Sequence, residues 1–224
     1  MGQESKPACG TEQLAGGVEA GIEGAIHAAR LQWAQHFQEE DWGFLLIDAR
    51  NAFNDENRTA MLWAVRNEWP SGAQFTFNFY PHWATLGVRN TADGSVHFLH
   101  SKEGMTQGDP LAMITYGIGV LPLIRVLRTD HPQVSQPWYA DDAGAGGKFG
   151  VVMPHFRDLQ LKGPAQGYFS EPTKSILVVS VQNLPRATEF FRGMGVQIVT
   201  GSRYLGGFVG EWETERQWFR TKVD

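Results

Sequence analysis

Three carboxylates in the sequence stand where they could do chemistry. Asp48 directly follows the apolar run 43–47, and Asp141 and Asp142 directly follow the apolar run 138–140. Carboxylates gathered at strand ends would repel one another unless a hard divalent cation lies between them. Two adjacent acidic residues are weak evidence of a functional site by themselves, because solvated turns often carry such pairs. We treat the three residues as candidate ligands for Mg²⁺, with Mn²⁺ as a substitute.

The segment 103–111 is a second candidate, because a glycine-rich loop leads there directly into a helix. Asp109 and Pro110 are the residues expected at an ordinary helix start, one as the N-cap and the other at the first helical position. The preceding pair, Gln107 and Gly108, is not needed for such a start. An ordinary capped helix start therefore leaves this pair without an explanation.

The elements that would position these residues follow from hydrophobic periodicity and from glycine and proline breakers. Helices are predicted over 23–38, 54–69, 109–128, 155–166 and 185–194, and strands over 43–48 and 175–181. Hairpins are predicted over 85–101, over 196–209 and around Asp141 and Asp142. These irregularly alternating elements predict an α+β fold in which an antiparallel sheet has helices packed on one face.

Composition and charge exclude several classes of protein. The chain has 224 residues and a net charge of −5, and residues 1–47 carry that whole excess, with two basic groups against seven acidic ones. No broad basic surface is expected, which argues against a protein whose only role is nucleic-acid binding. The single cysteine excludes zinc sites built on cysteine pairs. Without a recognisable membrane span or secretory signal, we expect an intracellular protein of the nucleus or cytoplasm with no membrane partner.

Two other patterns lack the geometry of the sites they resemble. The segment 144–148 is similar to a phosphate-binding loop, but Phe149 stands where serine or threonine is required. His97 and His100 lie three residues apart on a predicted strand, which points their rings to opposite faces. We therefore expect neither a phosphate loop nor a shared histidine metal site.

Five segments, in this order, resemble the palm of a reverse transcriptase, most closely that of the non-LTR retrotransposon type. The first, 45–54, has Asp48 followed by Ala-Phe at the fourth and fifth positions after it. The others are 104–111 (GMTQGDPL), 139–142 (YADD), 172–175 (PTKS) and 204–207 (YLGG). Residues 13–17 and residues 23–30 of the first predicted helix loosely resemble the motif and helix that precede such a palm.

The resemblance implies an RNA-directed DNA polymerase that transfers a deoxynucleotide to a primer 3′-hydroxyl with the help of two metal ions. In such a site Asp48 and Asp141 would bridge the metals, and Asp142 would be an auxiliary carboxylate. The Ala49 carbonyl would be a backbone ligand, and Lys174 would donate a proton to the leaving pyrophosphate. The implied partners are an RNA or DNA template with its primer, and a deoxynucleoside triphosphate.

The resemblance also implies contacts to the nucleotide and to the primer. Phe53 would lie under the ribose and exclude a 2′-hydroxyl. Arg50, Gln107 and Gly108 would contact the nucleotide. A primer-grip hairpin would be formed by Tyr204, Leu205 and Gly206. Core packing for Phe53, a surface salt bridge for Arg50 and simple solvation for Lys174 are the ordinary alternatives.

The resemblance divides the chain into three parts. Residues 1–42 would be a remnant of the fingers with a helix preceding the palm, 43–210 the palm, and 211–224 a tail or the start of a thumb. Fingers, thumb and endonuclease would belong to the rest of a polyprotein. A second hypothesis is a relic palm without catalysis that binds only metal or a partner. A third, an RNA-templated RNA polymerase, is disfavoured by Phe53 and by Ala140, where those enzymes usually carry glycine.

Overall fold

The computed structural model describes residues 8–105 and 108–223. Its helices are α1 (Gly21–His36), α2 (Ala52–Asp55), α3 (Arg58–Glu68), α4 (Pro70–Phe79), α5 (Ala112–Gly119), α6 (Leu121–Asp130), α7 (Phe149–Lys162), α8 (Leu184–Phe190) and α9 (Trp212–Val223). Its strands are β1 (Trp42–Ile47), β2 (Ala84–Arg89), β3 (Val96–Ser101), β4 (Trp138–Tyr139), β5 (Asp142–Lys148), β6 (Ile176–Val179), β7 (Gln197–Val199), β8 (Gly201–Tyr204) and β9 (Gly207–Gly210). Short 3₁₀ helices cover Gly163–Gln166 and Val181–Asn183.

The centre of the fold is a five-stranded sheet in the order β4-β5-β1-β6-β7. β1 pairs antiparallel with both β5 and β6, so that Leu46 lies between Gly144 and Ile176. All of β1 is buried, because both of its faces are covered, and this explains its continuous apolar run. The ring of Phe44 packs over β5, where a Cβ atom at Gly144 would lie only 2.9 Å from the ring.

The two faces of the sheet carry separate apolar cores. On one face Leu45, Ile47 and Leu177 pack with a helical layer formed by α3, α5, α6 and α7. On the other face Phe44 and Val178 pack with α1 and with the β8–β9 hairpin. The predicted α+β fold, an antiparallel sheet with helices, is therefore confirmed. Two details differ from the prediction, since the second face is also covered and β7 joins the sheet parallel to β6.

Two of the predicted helices are interrupted. The helix predicted over 54–69 is divided into α2 and α3, because Asn57 caps the longer helix and its side chain accepts the Ala60 N–H at 3.0 Å. The helix predicted over 109–128 is divided into α5 and α6. Pro122 lies in the first turn of α6, a position where the missing N–H of proline costs nothing. Proline therefore begins a helix here instead of bending one.

Other predicted boundaries shift because tertiary burial decides them. The helix predicted from residue 155 begins at Phe149, and Pro154 lies inside it. The ring of Phe149 is fully buried, which extends the apolar face of α7 toward its N-terminus. The region predicted as one hairpin over 196–209 is shared between β7 of the central sheet and the separate β8–β9 hairpin. The hairpin predicted over 85–101 is confirmed as β2–β3.

Helices α1 and α9 both pack against the β8–β9 hairpin. The Trp218 ring lies on the Phe208 ring with centroids 5.5 Å apart. Arg30 of α1 forms an ion pair of 3.0 Å with Glu215 of α9. The segment 211–224, predicted as a tail or the start of a thumb, thus contains a helix that docks on the hairpin.

Residues 112–130, which form α5 and α6, are unexpectedly apolar. An 18-residue window of this 19-residue stretch has a mean hydropathy of 1.3, so by length and composition alone it could cross a membrane. The sequence-based expectation of no such stretch was wrong in that respect. Within the fold 61% of that window is buried, including Tyr116, Leu121 and Ile124. We interpret it as a pair of core helices, which pass the same criterion.

Candidate active site

Asp48, Asp141 and Asp142 meet at one end of the central sheet. Asp48 directly follows β1, Asp141 lies in the turn between β4 and β5, and Asp142 is the first residue of β5. Because β1 and β5 are antiparallel, with Ile47 opposite Ala143, the end of one strand lies beside the start of the other. The fold thus brings together the acids that the sequence separates.

The negative charge of Asp48 acts on both Asp141 and Asp142. Burial, followed by the negative charges of Asp141 and Asp48, raises the pKa of Asp142 to about 6. Burial also raises the pKa of Asp141, a backbone hydrogen bond partly offsets this, and the charge of Asp48 adds to it. Partly buried like charges with raised pKa values are typical of a functional site that would gain from a bound cation.

The turn that carries Asp141 is held by two side chains from distant segments. The Gln13 amide donates to the Ala140 carbonyl at 3.0 Å and accepts the Ala140 N–H at 2.8 Å. The Tyr168 hydroxyl donates to the Asp141 carbonyl at 2.9 Å. Ala140 has a φ of 51°, which is uncommon for a residue with a side chain, so these bonds stabilise an unfavourable turn. In the sequence, Gln13 belongs to the segment 13–17, which only loosely resembles the motif that precedes such a palm. No sequence pattern indicated a role for Tyr168.

Asp48 is held in place by the segment that carries Lys174. The Asp48 N–H donates to the Ser175 hydroxyl at 3.3 Å, and the Asp48 carbonyl accepts the Glu171 N–H at 2.8 Å. The next residue, Ala49, continues this antiparallel pairing in an isolated bridge. The pairing brings the exposed Lys174 beside Asp48. Sequence reasoning missed Ser175, because a serine after a turn carries no signal of what its hydroxyl will reach.

Several of these residues line a pocket of about 150 Å³. Its walls include two carboxylates, two cationic side chains and one aromatic ring, from Asp48, Asp142, Lys174, Arg203 and Tyr204. This combination can bind a cation and a polyanion together, because the pocket is lined by side chains of both charges. Arg203 was not predicted, although it directly precedes the predicted Tyr204.

The hairpin residues predicted as a primer grip have an unusual backbone. Leu205 and Gly206 form the turn between β8 and β9, with φ values of 49° and 91°. Two successive positive φ angles are typical of a type I′ turn, which suits a hairpin but is unfavourable for leucine. Leu205 and Tyr204 line the pocket, whereas Gly206 is exposed. The Tyr204 ring packs edge-on against Phe44, and burial, then the charge of Asp142, raises the pKa of its hydroxyl.

Phe53 lies on α2 and is half-buried. Its ring is stacked on Tyr116 with centroids 4.5 Å apart, and its carbonyl accepts the Met105 N–H at 2.7 Å. Burial, and more weakly several neighbours that include Asp141, raises the pKa of Tyr116. Phe53 is thus packed on Tyr116 and is not among the residues that line the pocket.

Two other predicted nucleotide-binding residues, Arg50 and Gly108, are not among the residues that line the pocket. The side chain of Arg50 is 58% exposed and forms an ion pair of 3.5 Å with Asp55, which is the surface salt bridge considered as its alternative. Its guanidinium group also lies over the ring of Phe169, 4.9 Å from the centroid. Gly108 is exposed and has a φ of 94°. Gln107 lies outside the described residues.

The carboxylate oxygens suit a hard cation, although the carboxylates alone do not surround a metal ion. Within residues 8–105 and 108–223, no group of three His, Cys, Asp or Glu side chains is close enough to hold a metal ion. Asp48 and Asp142 nevertheless share the pocket wall. Mg²⁺ is commonly bound through one or two carboxylates, several waters and substrate phosphates. The residues therefore fit an ion that arrives with a phosphate-bearing ligand.

The fold is similar to that of telomerase, which is a reverse-transcriptase-type polymerase. Telomerase from Candida albicans in complex with a fragment of telomeric RNA superimposes with a TM-score of 0.56 at 12% identity over 75% of this chain. Apo telomerase from Candida tropicalis, truncated from its C-terminal domain, gives a TM-score of 0.53 at 15% identity over 70% of this chain. The chain has a reverse-transcriptase-like fold.

The likeness is one of fold, because both identities are low. The chain spans about a third of the two telomerase chains, 32% and 34% of their lengths. No protein-family profile and no curated protein sequence matches the chain. The reverse-transcriptase-like fold confirms the resemblance at the level of fold. The assignment to non-LTR retrotransposons stays a prediction.

Proposed function

We propose that the protein catalyses RNA-templated DNA synthesis, in which a deoxynucleotide is transferred to a primer 3′-hydroxyl. The observation that carries the proposal is the meeting of Asp48, Asp141 and Asp142 at adjacent strand ends of a reverse-transcriptase-like fold. A bound cation would favour the ionised forms of Asp141 and Asp142, whose pKa values are raised by burial and by neighbouring negative charge. Lys174 and Arg203 of the same pocket offer the positive charge that a triphosphate needs.

The carboxylates would act as metal ligands. Bound Mg²⁺, or Mn²⁺ in its place, would activate the attacking hydroxyl and stabilise the charge that develops on the phosphate. Asp48 and Asp142 would hold the ion from the pocket wall and Asp141 from the adjoining turn, with the Ala49 carbonyl as a further oxygen donor. Because its pKa is about 6, Asp142 is mostly ionised at neutral pH and available as a ligand.

The two cations of the pocket would serve the leaving group. In the reaction the primer 3′-hydroxyl loses its proton to water, its oxygen forms a bond to the α-phosphorus, and the bond to the pyrophosphate oxygen breaks. Lys174, held beside Asp48 by the pairing described above, would donate a proton to that pyrophosphate oxygen. Arg203 would pair with the remaining phosphate charge. Fixed positive charge near a developing oxyanion lowers the barrier of such transfers.

The aromatic and hairpin residues would position the two substrates. Tyr204, Leu205 and Gly206 would contact the primer end. Phe53 would lie under the sugar of the incoming nucleotide and leave no room for a 2′-hydroxyl. Because the Phe53 ring is backed by Tyr116 at 4.5 Å, it can resist displacement by that hydroxyl. Arg50, Gln107 and Gly108 would complete the nucleotide contacts.

The biological setting is proposed from the same resemblance. We infer that the chain is part of a retrotransposon polyprotein that also contains fingers, thumb and endonuclease, and that it copies an RNA or DNA template. The five motif segments support the retrotransposon type. The Candida albicans telomerase of similar fold is described in complex with telomeric RNA, which supports a nucleic-acid partner.

A palm that binds metal or a partner without catalysis is the second candidate function. One observation favours it. The excess of acidic residues in 1–47 would weaken the attraction of a template. This candidate predicts metal binding without primer extension.

Single-nucleotide extension tests the proposed function. The full chain, in excess over a DNA primer annealed to an RNA template, is incubated with one labelled deoxynucleoside triphosphate and Mg²⁺ or Mn²⁺. We expect slow, metal-dependent extension, reduced at least about 100-fold by Asp141→Asn. Asp130→Asn is the matched control, because Asp130 is an exposed aspartate that pairs with Lys162 on another part of the surface.

The outcomes separate the two candidates. Extension that requires Asp141 but not Asp130 supports catalysis. Metal binding without any extension supports the inert palm. Extension that survives Asp141→Asn undiminished would contradict both.

A further inference from the structure

The β2–β3 hairpin is exposed on both of its faces. Phe98 is 70% exposed and Trp83, directly before β2, is 59% exposed. The base of the hairpin is fixed, because the buried Arg58 donates to the carbonyls of His82 and Gly104 at 3.1 and 2.8 Å. The hairpin is therefore an anchored projection with exposed apolar side chains, which is typical of a binding surface.

The two faces of the hairpin differ in chemistry. The register places Gly87 opposite Phe98 and Thr85 opposite His100, and side chains alternate between the faces. One face, here called the cationic–aromatic face, carries Trp83, Arg89, Phe98, His100 and Lys102. The other, called the aliphatic face, carries Leu86, Val88, His97 and Leu99. The expected placement of His97 and His100 on opposite faces is thereby confirmed.

Contacts on the cationic–aromatic face join its charges to its rings. The Lys102 ammonium group lies 4.4 Å from the Trp83 ring centroid, and the Trp83 and His100 rings are 6.1 Å apart. The Phe98 ring lies beside Gly87, where an added Cβ atom would come within 3.7 Å of it. Because Gly87 has no side chain, the outer surface of the Phe98 ring stays open.

The charge of the hairpin is also distinctive. Between residues 83 and 102 the cations are Arg89 and Lys102 and the acid is Asp93. Asp93 lies at the turn, where it accepts hydrogen bonds from Ser95. The segment is thus slightly basic in a chain whose net charge is −5. An acidic protein with a local basic and aromatic face has one surface that suits a polyanion with stackable rings.

We propose that the cationic–aromatic face binds single-stranded nucleic acid. Bases would stack on Trp83 and Phe98, and Arg89 and Lys102 would contact phosphates, which is the general chemistry of sequence-tolerant single-strand binding. The inference deepens the proposed function, on which it rests for the identity of the strand as template. Binding at the hairpin and chemistry at the carboxylates are separate and can fail separately.

Fluorescence anisotropy with a labelled oligouridine of about 15 nucleotides tests the binding at low salt, using the full chain. We expect the Trp83→Ala/Phe98→Ala variant to bind about 10-fold or more weakly. The matched control is Leu86→Ala/Leu99→Ala, which removes exposed side chains from the opposite face of the same strands. It should bind like the wild type, and circular dichroism of each variant checks that it is folded.

Salt dependence tests the cations independently. Two phosphate contacts on a single strand predict a slope of log K against log salt of about −1.4. The slope should approach zero in Arg89→Gln/Lys102→Gln. Asp141→Asn should leave oligouridine binding unchanged even though it removes extension, so a failure of catalysis and a failure of this surface are distinguishable.

Three results would overturn the inference. The first is no binding of oligouridine by the wild type at low salt. The second is an equal loss from the variants of the two faces. The third is a change of oligomeric state, seen by sedimentation, in the Trp83→Ala/Phe98→Ala variant without a change in oligouridine binding, because the face would then be a protein interface.

Discussion

The side-chain amide of Gln13 satisfies both backbone groups of Ala140, a residue 127 positions later in the chain. Ala140 adopts a left-handed conformation and directly precedes Asp141, so this pair of hydrogen bonds fixes the backbone on which the acids are carried. The N-terminal segment thus stabilises the candidate site although it contributes no group to the chemistry.

Gln13→Ala should lower the free energy of unfolding by about 2–3 kcal/mol, because it leaves a buried N–H and a buried carbonyl of Ala140 without partners. Urea denaturation followed by circular dichroism measures the change. Gln35→Ala is the control, since Gln35 is exposed on α1 and should change stability by less than about 0.5 kcal/mol. If the two substitutions lowered the free energy of unfolding equally, Gln13 would have no special role in holding the turn at Ala140.

Asp142→Asn should stabilise the metal-free protein at pH 7.5 by about 1–2 kcal/mol, a value discounted for partial exposure. The pKa of Asp142 is raised from 3.8 to about 6 on folding. The folded state therefore binds more protons than the unfolded state between these values, and its stability falls as pH rises toward 6. At pH 4 the substitution should have little effect, because Asp142 is then protonated in the folded protein.

Asp93→Asn is the control for that prediction. Hydrogen bonds from Ser95 lower the pKa of Asp93, so its ionised form favours folding and its amide variant should not stabilise the protein at pH 7.5. Thermal melts of both variants at the two pH values give the comparison. If Asp142→Asn destabilised the protein at pH 7.5, the folded state would not disfavour the ionised form of Asp142, contrary to this account.

His155 should make the protein sensitive to mild acid. Its ring is fully buried, neither ring nitrogen has a hydrogen-bond partner among the described residues, and burial, followed by the charge of His131, lowers its pKa to about 4. The unfolded state therefore binds more protons between pH 6.5 and 4, and stability should fall as pH falls through that range, by about 2–3 kcal/mol in total.

His155→Leu should flatten this part of the stability profile, because no proton is then taken up on unfolding at that position. His27→Leu, an exposed position on α1, should leave the slope unchanged. Urea midpoints measured at intervals between pH 7 and 4 provide the test. An unchanged slope in His155→Leu would assign the acid sensitivity to other groups.

Cys9 should be chemically inert in the folded protein. The thiol is fully buried, and burial, then the charge of Glu68, raises its pKa to about 12, so almost no reactive thiolate is present at pH 8. Reaction with a disulfide reagent should be slow and should accelerate with added urea in step with unfolding. Rapid labelling of the native protein at pH 8 would show that the N-terminal segment opens readily.

The sequence was informative where local pattern and burial agree. The run that became β1 and the Asp93-Gly94 hairpin signal are local, and both elements formed as predicted. Asp48, Asp141 and Asp142 were recognisable because acids directly after apolar strands are unusual. The α+β class followed from the same local patterns.

Other features depend on contacts that local patterns do not contain. Tyr168, Ser175 and Arg203 acquire their positions from segments that only the folded chain brings near the acids. The helix predicted from Asp109 begins three residues later, at Ala112. The Asp109 carboxylate accepts the Leu111 N–H at 2.8 Å, and α5 begins after that turn. The parallel addition of β7 likewise reflects tertiary packing.

Binding of Mn²⁺, followed by electron paramagnetic resonance of the free ion, tests most directly whether the carboxylates form a metal-assisted nucleotide site. With the full chain and a deoxynucleoside triphosphate at pH 7.5, we expect Mn²⁺ and nucleotide to bind together. Asp48→Asn should weaken binding at least about 10-fold, and wild-type binding should decline below pH 6 as Asp142 takes up a proton. Mn²⁺ binding that is absent from the wild type, or equal in wild type and Asp48→Asn, would contradict the proposed site.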